Sequence, residues 1–425
     1  MWSVFEQISV IIKHCLKILI QRPDPMWAFR LFEKRIHPET ARLNGEVTRW
    51  SDRCLERKSE MEGRECYQGS SSALVKQGFE LIESVKMEFA GKYTNLNPLR
   101  ILVHLPAWRV SPGVHSAFNN FVIASTFMGI EARFLGWDEN VERWLEDFKP
   151  NVLMTCDYRL FLERINWEEV LRYRRKNTLK IGLSAELEED GNTALSGRLR
   201  WAKEHHVDFY HTFRCQDYIT ERTDYKEFFD EGYDIFSLEF GANPLLHYPI
   251  PNIKRDLNFA FLASRNPAKI PRYFSFLGKI LQAYPGFVDG PGWGFSNSDH
   301  FWCDRDRYIY ARSKVGINLH IENQIQWASE LNERTYILAA CGIPQLVDHP
   351  KLLDSRFGPD SFFVAENPEE YYCLFEEILL NGEEAERRAL KAQQITLEKH
   401  TVFHRTEEFI LKLMKWCEQK GTCLN

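Results

Sequence analysis

Residues Ser329 to Pro350 read S-E-L-N-E-R-T-Y-I-L-A-A-C-G-I-P-Q-L-V-D-H-P. Leu331, Leu338 and Ala339 fall on one face at helical spacing, so the first part of this stretch is a helix. Ser329 is a capping residue type at its start, and Gly342 followed by Pro344 ends it. Gln345-Leu346-Val347 then forms a short buried strand. A helix that ends in a glycine turn and feeds a buried strand belongs to an α/β sheet. Asn332, Glu333 and Arg334 sit in the first helical turn, where free backbone N–H groups and the positive dipole end suit a phosphate. Arg334 adds a guanidinium fork that fits a diphosphate.

Working outward, the same alternation recurs. Upstream, Leu99–Leu105, Glu131–Leu135, Asn151–Thr155, Leu179–Leu183 and Val207–His211 read as strands, with a helical pattern from Val114 to Met128. Phe236 to Asp256 has little periodicity and holds Pro244, Pro249 and Pro251, so it reads as a linker. The alternation then restarts. Asn258–Ala263, Gly286–Asp289, Val315–Leu319 and Ser361–Val364 are strands, and Ile270–Tyr284 and Pro368–Leu380 are helices. Glu383–Lys415 reads as helical throughout. Strands separated by helices of this length predict two parallel sheets covered on both faces, in two doubly wound units with a cleft between them. The implied division is a helical extension over 1–95, a first Rossmann-like unit over 96–245 and a second over 246–425.

The extension carries no chemistry that the sequence reveals. Trp2–Ile20 is apolar but broken by Glu6, Lys13, His14 and Lys17, too interrupted to span a bilayer, which needs about 20 apolar residues. It reads either as a helix docked on its own protein or as a peripheral membrane anchor. The chain of 425 residues is 44% hydrophobic and 27% charged, an ordinary balance for a globular protein. A formal charge of -6 argues against a nucleic-acid partner. The 10 cysteines include no C-x-x-C pair, which suggests free thiols in a reducing cytoplasm.

Ligands in open α/β sheets bind at the carboxyl ends of the strands, and several residues fall there. Gly113 and His115 follow the first strand; the glycine permits close backbone approach, and the imidazole is a base or hydrogen-bond donor, or a solvated side chain in a capping loop. Asp157 follows the third strand and either orients an acceptor hydroxyl or caps a helix. Asp304-Arg305-Asp306 opens a helix and is rejected as a metal site, and His205, His206 and His211 lack metal-ligand spacing. Pro291-Gly292-Trp293-Gly294 is an aromatic loop that either stacks a ring or turns a corner.

Asn332, Arg334, Tyr336, Ala340, Cys341, Gly342 and Pro344 match N-x-R-x-[FY]-E-x-x-A-C-G-x-P, and His400, Thr401, His404 and Arg405 match H-T-x-x-H-R. Through these two blocks the chain from about Leu99 onward resembles the GT-B glycosyltransferases, in particular the CgeB-like group. Glu322-Asn323 also resembles the F-E-N segment of alpha-1,3-fucosyltransferases. The resemblance implies a nucleotide diphosphate sugar as donor substrate, a glycan or lipid-linked acceptor, no other cofactor and no bound metal. It assigns Asn332, Glu333, Arg334 and Tyr336 to the donor side. It also implies that Arg265 meets the pyrophosphate, with Lys269 or Arg272 as substitutes. One departure stands out: the glutamate expected to hold the ribose is Ile337, and Glu322 is the candidate replacement. Retaining and inverting transfer both remain open, as do two other readings, a catalytically silent GT-B scaffold and a GT-B-like nucleotide-sugar epimerase.

Overall fold

The computed structural model describes residues 73–94, 99–106, 112–187, 194–264, 269–290 and 303–420. Arg265, the aromatic loop at 291–294 and the Trp2–Ile20 anchor lie outside the described residues.

Six strands build the first sheet: β1 (Arg100–Leu105), β2 (Glu131–Gly136), β3 (Val152–Thr155), β4 (Lys180–Ser184), β5 (Phe209–Thr212) and β6 (Ile235–Ser237). All pairs are parallel, in the order β2-β1-β3-β4-β5-β6. The second sheet holds β7 (Leu257–Leu262), β8 (Phe287–Asp289), β9 (Ser313–Asn318), β10 (Gln345–Asp348) and β11 (Phe363–Ala365). It is also parallel, in the order β11-β10-β9-β7-β8. Taken from the β8 edge, its first five positions repeat those of the first sheet: second strand, first, third, fourth, fifth. Each sheet therefore reverses its winding beside its own first strand, between β1 and β3 and between β7 and β9. In such folds the crevice opens at that reversal.

The strands are apolar on both sides because helices cover both sides. Ile101 and Val103 of β1 join Phe118, Phe121 and Phe409 in one core, while Leu102 joins Leu145, Ile181 and Leu199 in another. The helices used below are α1 (Ala73–Phe89), α2 (Pro112–Phe127), α3 (Ile270–Ala283), α4 (Glu333–Ala340), α5 (Gly382–Lys399) and α6 (Val402–Gln419).

Three local features differ from the sequence reading. The helix expected to start at Ser329 starts at Glu333, capped by Asn332, whose side chain accepts from the Thr335 N–H at 3.1 Å. The Ser329 carbonyl instead accepts from Cys215 N–H of the first unit at 2.8 Å. β6 occupies part of what reads as linker; it is only three residues long, too short to show alternation. The C-terminal run is two helices, broken at His400-Thr401. Thr401 caps α6, and its hydroxyl meets His404 Nδ1 at 2.7 Å.

The end of α4 follows the sequence reading. Gly342 has φ +71, its N–H bonds the Ala339 carbonyl, and the Ile343 N–H reaches back to Leu338. This paired closure needs a left-handed residue after the cap, and Ile343 packs in the same core cluster as Leu338. Beyond it, α5 lies against α1 and α4, and α6 returns to α2 and β6 of the first sheet. A parallel bridge from Ala242 to Thr401 ties the crossing segment to this return.

Candidate active site

The carboxyl ends of β7, β9 and β10 converge on the N-terminus of α4. Arg334 lies there, half-buried. Its Nε donates to the Leu262 carbonyl at the end of β7 (2.8 Å), Nη1 lies 3.5 Å from Asn318 Oδ1 at the end of β9, and its guanidinium sits over the Phe261 ring. Asn318 anchors the neighbourhood: it receives Asn332 Nδ2 at 2.8 Å and donates to Thr335 Oγ1 at 2.9 Å. The cap, the strand end and the arginine are thus one polar lattice, which fixes the direction of the helix.

Beside it is a buried carboxylate that the sequence reading passed over. Asp348, the last residue of β10, accepts from the His320 backbone N–H, from His320 Nδ1 at 2.7 Å and from Arg272 Nε at 2.8 Å. Burial opposes its ionisation, but His320, Arg272 and the backbone donor outweigh it, so its carboxyl stays below the usual range. Burial holds His320 neutral, so its Nδ1–H donates to Asp348 and its Nε2 is left as an acceptor for the Thr335 hydroxyl at 3.2 Å. A charged residue closing an apolar strand was the available signal.

Lys269 caps the start of α3 next to this group. Burial first, and the nearby Arg334 charge second, lower its ammonium to about 8. Among the described residues no carboxylate pairs with Lys269 or with Arg334. Arg272, the other substitute for Arg265, is taken up by Asp348 and stands 3.6 Å from Glu322. Glu322 is exposed and reaches the same edge of the crevice. Ile337 is packed with Leu262, Ile309 and Tyr310, an apolar seat with no polar contact to offer a ribose.

Two residues expected on the donor side point elsewhere. Tyr336 is fully buried against Phe357 and His400, on the face of α4 that meets the C-terminal helices. Residues two apart on a helix do not share a face, so the ring cannot join Arg334 at the strand ends. Glu333 turns toward the first unit: its Oε1 accepts from Ser116 Oγ and Asn120 Nδ2 of α2, each at 2.8 Å. A carboxylate facing a diphosphate would repel it, and the structure avoids that contact.

On the first unit, His115 lies in the first turn of α2, half-buried, with Nδ1 3.2 Å from the Pro106 carbonyl. A carbonyl only accepts, so Nδ1 carries a proton, and in the neutral imidazole Nε2 is then the acceptor. Gly113 is exposed beside it, with open space around its α-carbon. Asp157 is different from either sequence reading. It is fully buried and ion-paired with Arg198 Nη1 at 2.6 Å, while its backbone N–H donates to Ser184 Oγ. Burial pushes its carboxyl up, to about 7, against the pull of Arg198. It does not cap a helix, since Tyr158 holds that place, and it does not face the crevice as an open base.

Among the described residues no group of three or more His, Cys, Asp or Glu is placed to hold a metal ion, and no helix is long and apolar enough to cross a membrane. Asp306 of the D-R-D triplet bonds its neighbour Arg305, which also pairs with Asp289.

Residues 267–410 match the model of a family described as glycosyl transferase-like. That match does not single out the CgeB-like group or the fucosyltransferases. No curated protein matches the chain. Among solved structures, the chain is similar to an alpha-glucosyltransferase in complex with UDP-glucose and DNA containing an abasic site, at 12% identity, covering 73% of this chain and 98% of that one, with a TM-score of 0.54. It is also similar to T4 phage BGT in complex with UDP and Mn2+, at 11% identity over 74% of this chain and 99% of that one, with a TM-score of 0.50. A further alpha-glucosyltransferase, in complex with UDP and DNA containing an HMU base, is 11% identical over 76% of this chain and 98% of that one, with a TM-score of 0.50. At these identities the likeness carries the fold.

The comparisons correct one expectation. The negative net charge does not exclude a nucleic-acid partner, because two of these enzymes of the same fold are found with DNA. Net charge sums the whole surface, whereas a polyanion feels the local field within a Debye length, about 8 Å at physiological salt. The two parallel sheets with the crevice at their winding reversals are a GT-B architecture, and residues 267–410 within it are similar to the glycosyl transferase-like family.

Proposed function

We propose that the second unit holds a nucleotide diphosphate sugar at the ends of β7 and β9, and that the sugar passes to an acceptor hydroxyl presented by the first unit. The observation that carries this reading is the pair Lys269 and Arg334, two cations at the winding reversal with no carboxylate partner among the described residues. Asp348 and Glu330 act on Lys269 only at a distance, and two cations without a direct ion pair near a helix N-terminus favour an anion that completes the site. As the glycosidic bond to the diphosphate breaks, negative charge grows on the leaving oxygens. In this reading Lys269, Arg334 and the Glu333 and Arg334 N–H groups at the start of α4 receive it. The acceptor hydroxyl must lose its proton, and His115 Nε2 is the open acceptor on the opposite side. Glu322, beside Arg272, supplies the carboxylate for the ribose that Ile337 cannot.

The lowered Lys269 gives a test with a definite sign. Below about pH 8 the ammonium is charged and pairs with the diphosphate; above it the charge and the contact are lost. Bound diphosphate raises this pKa, so binding takes up protons near that pH. Calorimetric titration of UDP, GDP, CMP and dTDP should find one that binds, with affinity falling between about pH 7 and pH 9. Lys269→Met should lose about tenfold in affinity and flatten the profile. No binding by any of the four nucleotides would refute the reading. A wild-type affinity flat across this range would remove Lys269 from the site.

A further inference from the structure

Glu333 occupies an unusual place. It belongs to α4, next to the diphosphate-site residue Arg334, yet its carboxylate is bound by α2 of the other unit. Ser116 and Asn120, one helical turn apart on α2, both donate to the same oxygen at 2.8 Å. Asn120 is held in turn: its Oδ1 accepts from Asn243 Nδ2 at 2.9 Å, and Asn243 lies on the segment that crosses between the sheets. One chain of hydrogen bonds therefore joins the donor helix, the acceptor-side helix and the crossing segment. Ser116 follows His115 directly. The tether thus joins the residue next to the cation assigned to the diphosphate and the residue next to the imidazole assigned to the acceptor proton.

We infer that Glu333 is a positioning residue, an inter-unit tether that holds the N-termini of α2 and α4 at the separation sugar transfer requires. This inference rests on the transfer reading given above. Transfer depends on the reacting groups being held close and aligned, so loosening one tether lowers the rate without removing any group that touches the donor. The titratable and charged groups around Glu333 are few: Arg334 on its own helix, His115 on α2, and Arg405 of α6 and Glu239 of the crossing segment, which line a small cavity with it.

The seam also changes the chemistry of the carboxyl. Burial raises it from its ordinary 4.5 to about 7, while Ser116, Asn120 and Arg334 pull the other way. With the units apart, water would restore the ordinary value. Between those two values the closed form binds a proton that the open form does not, so closure is favoured as pH falls through this window. Glutamine is neutral and keeps the oxygen that Ser116 and Asn120 bind, so it stands in for the protonated tether.

Hydrogen exchange on the ligand-free protein tests the tether without any substrate. Glu333→Ala should raise exchange at both α2 and α4, as should Ser116→Ala combined with Asn120→Ala. Glu333→Gln should restore protection and remove the wild type's pH dependence between about pH 5 and pH 7. With the nucleotide sugar that wild type binds, Glu333→Ala should lower kcat about tenfold or more while the nucleotide diphosphate Kd stays within about threefold. Unchanged exchange in Glu333→Ala overturns the inference, whatever the fate of the transfer reading. A Glu333→Gln variant as slow as Glu333→Ala also overturns it, since that would make the carboxylate itself a reactant. Absence of nucleotide binding in wild type would strike at the transfer reading alone.

Discussion

Arg334→Ala should weaken nucleotide diphosphate binding by about 1.5–3 kcal/mol, the range for hydrogen bonds to charged groups, or roughly 10- to 150-fold. The guanidinium is tied at one edge: Nε bonds the Leu262 carbonyl, and the plane rests over Phe261. That anchorage aims the fork and removes much of the rotamer entropy a free arginine would lose on binding. Helix N–H groups act on the same anion, so the effect should exceed that of an exposed charge pair. Arg334→Lys should restore only part of the affinity, because an ammonium cannot keep the carbonyl bond and still present a fork. A nucleoside without phosphates should bind all three proteins alike. Calorimetry at constant pH checks this, and an unchanged diphosphate affinity in Arg334→Ala would remove the residue from the site.

The second large effect concerns stability. Asp157 and Arg198 form a pair in which both side chains are out of contact with water. Asp157→Ala leaves a buried guanidinium without its carboxylate, and the cost should be about 3–5 kcal/mol. Arg198→Ala should cost less at low pH than at high pH. The stranded Asp157, already raised by burial, can take a proton and avoid a buried charge. The double variant should be less destabilised than the sum of the two, because each single change leaves a charge that the other removes. Chemical denaturation at two pH values measures all three. Nucleotide diphosphate affinity should not change, since the pair lies in the first unit. A collapse of kcat with unchanged stability in Asp157→Ala would instead make it the acceptor base.

The H-T-x-x-H-R block shows how a motif can be legible while its work is not. In the structure Thr401 caps α6 with His404 reaching back to it, His400 Nδ1 meets Arg405 at 2.8 Å, and Arg405 lies 3.7 Å from Glu239, which also binds Arg356. These residues fasten the returning helix to the crossing segment. None of them stands at the strand ends where we propose the donor binds.

Local pattern determined a great deal here. Buried strands flanked by helices show directly as short apolar runs between longer periodic ones, because a parallel strand covered on both faces cannot carry polar alternation. The start of every strand from β1 to β5 and from β7 to β11 lies within two residues of its sequence expectation. Gly342 announced its turn because few other residues tolerate a φ of +71. The expectation of an anion site at the N-terminus of α4 rests on the same kind of reason, a property of the backbone.

Tertiary structure decided what faces what. Ser329 and Asn332 are both good caps, and the choice fell to Asn332 because Asn318 on a neighbouring strand receives its amide. Asn332 through Tyr336 span little more than one helical turn, yet Arg334 turns to the strand ends, Glu333 to the other unit and Tyr336 to the C-terminal helices. Asp157 reads as a strand-end carboxylate until Arg198, 41 residues away, is placed against it. Such partners are set by long-range packing, and a side chain's charge, accessibility and proton affinity follow from its partners rather than from its neighbours in sequence.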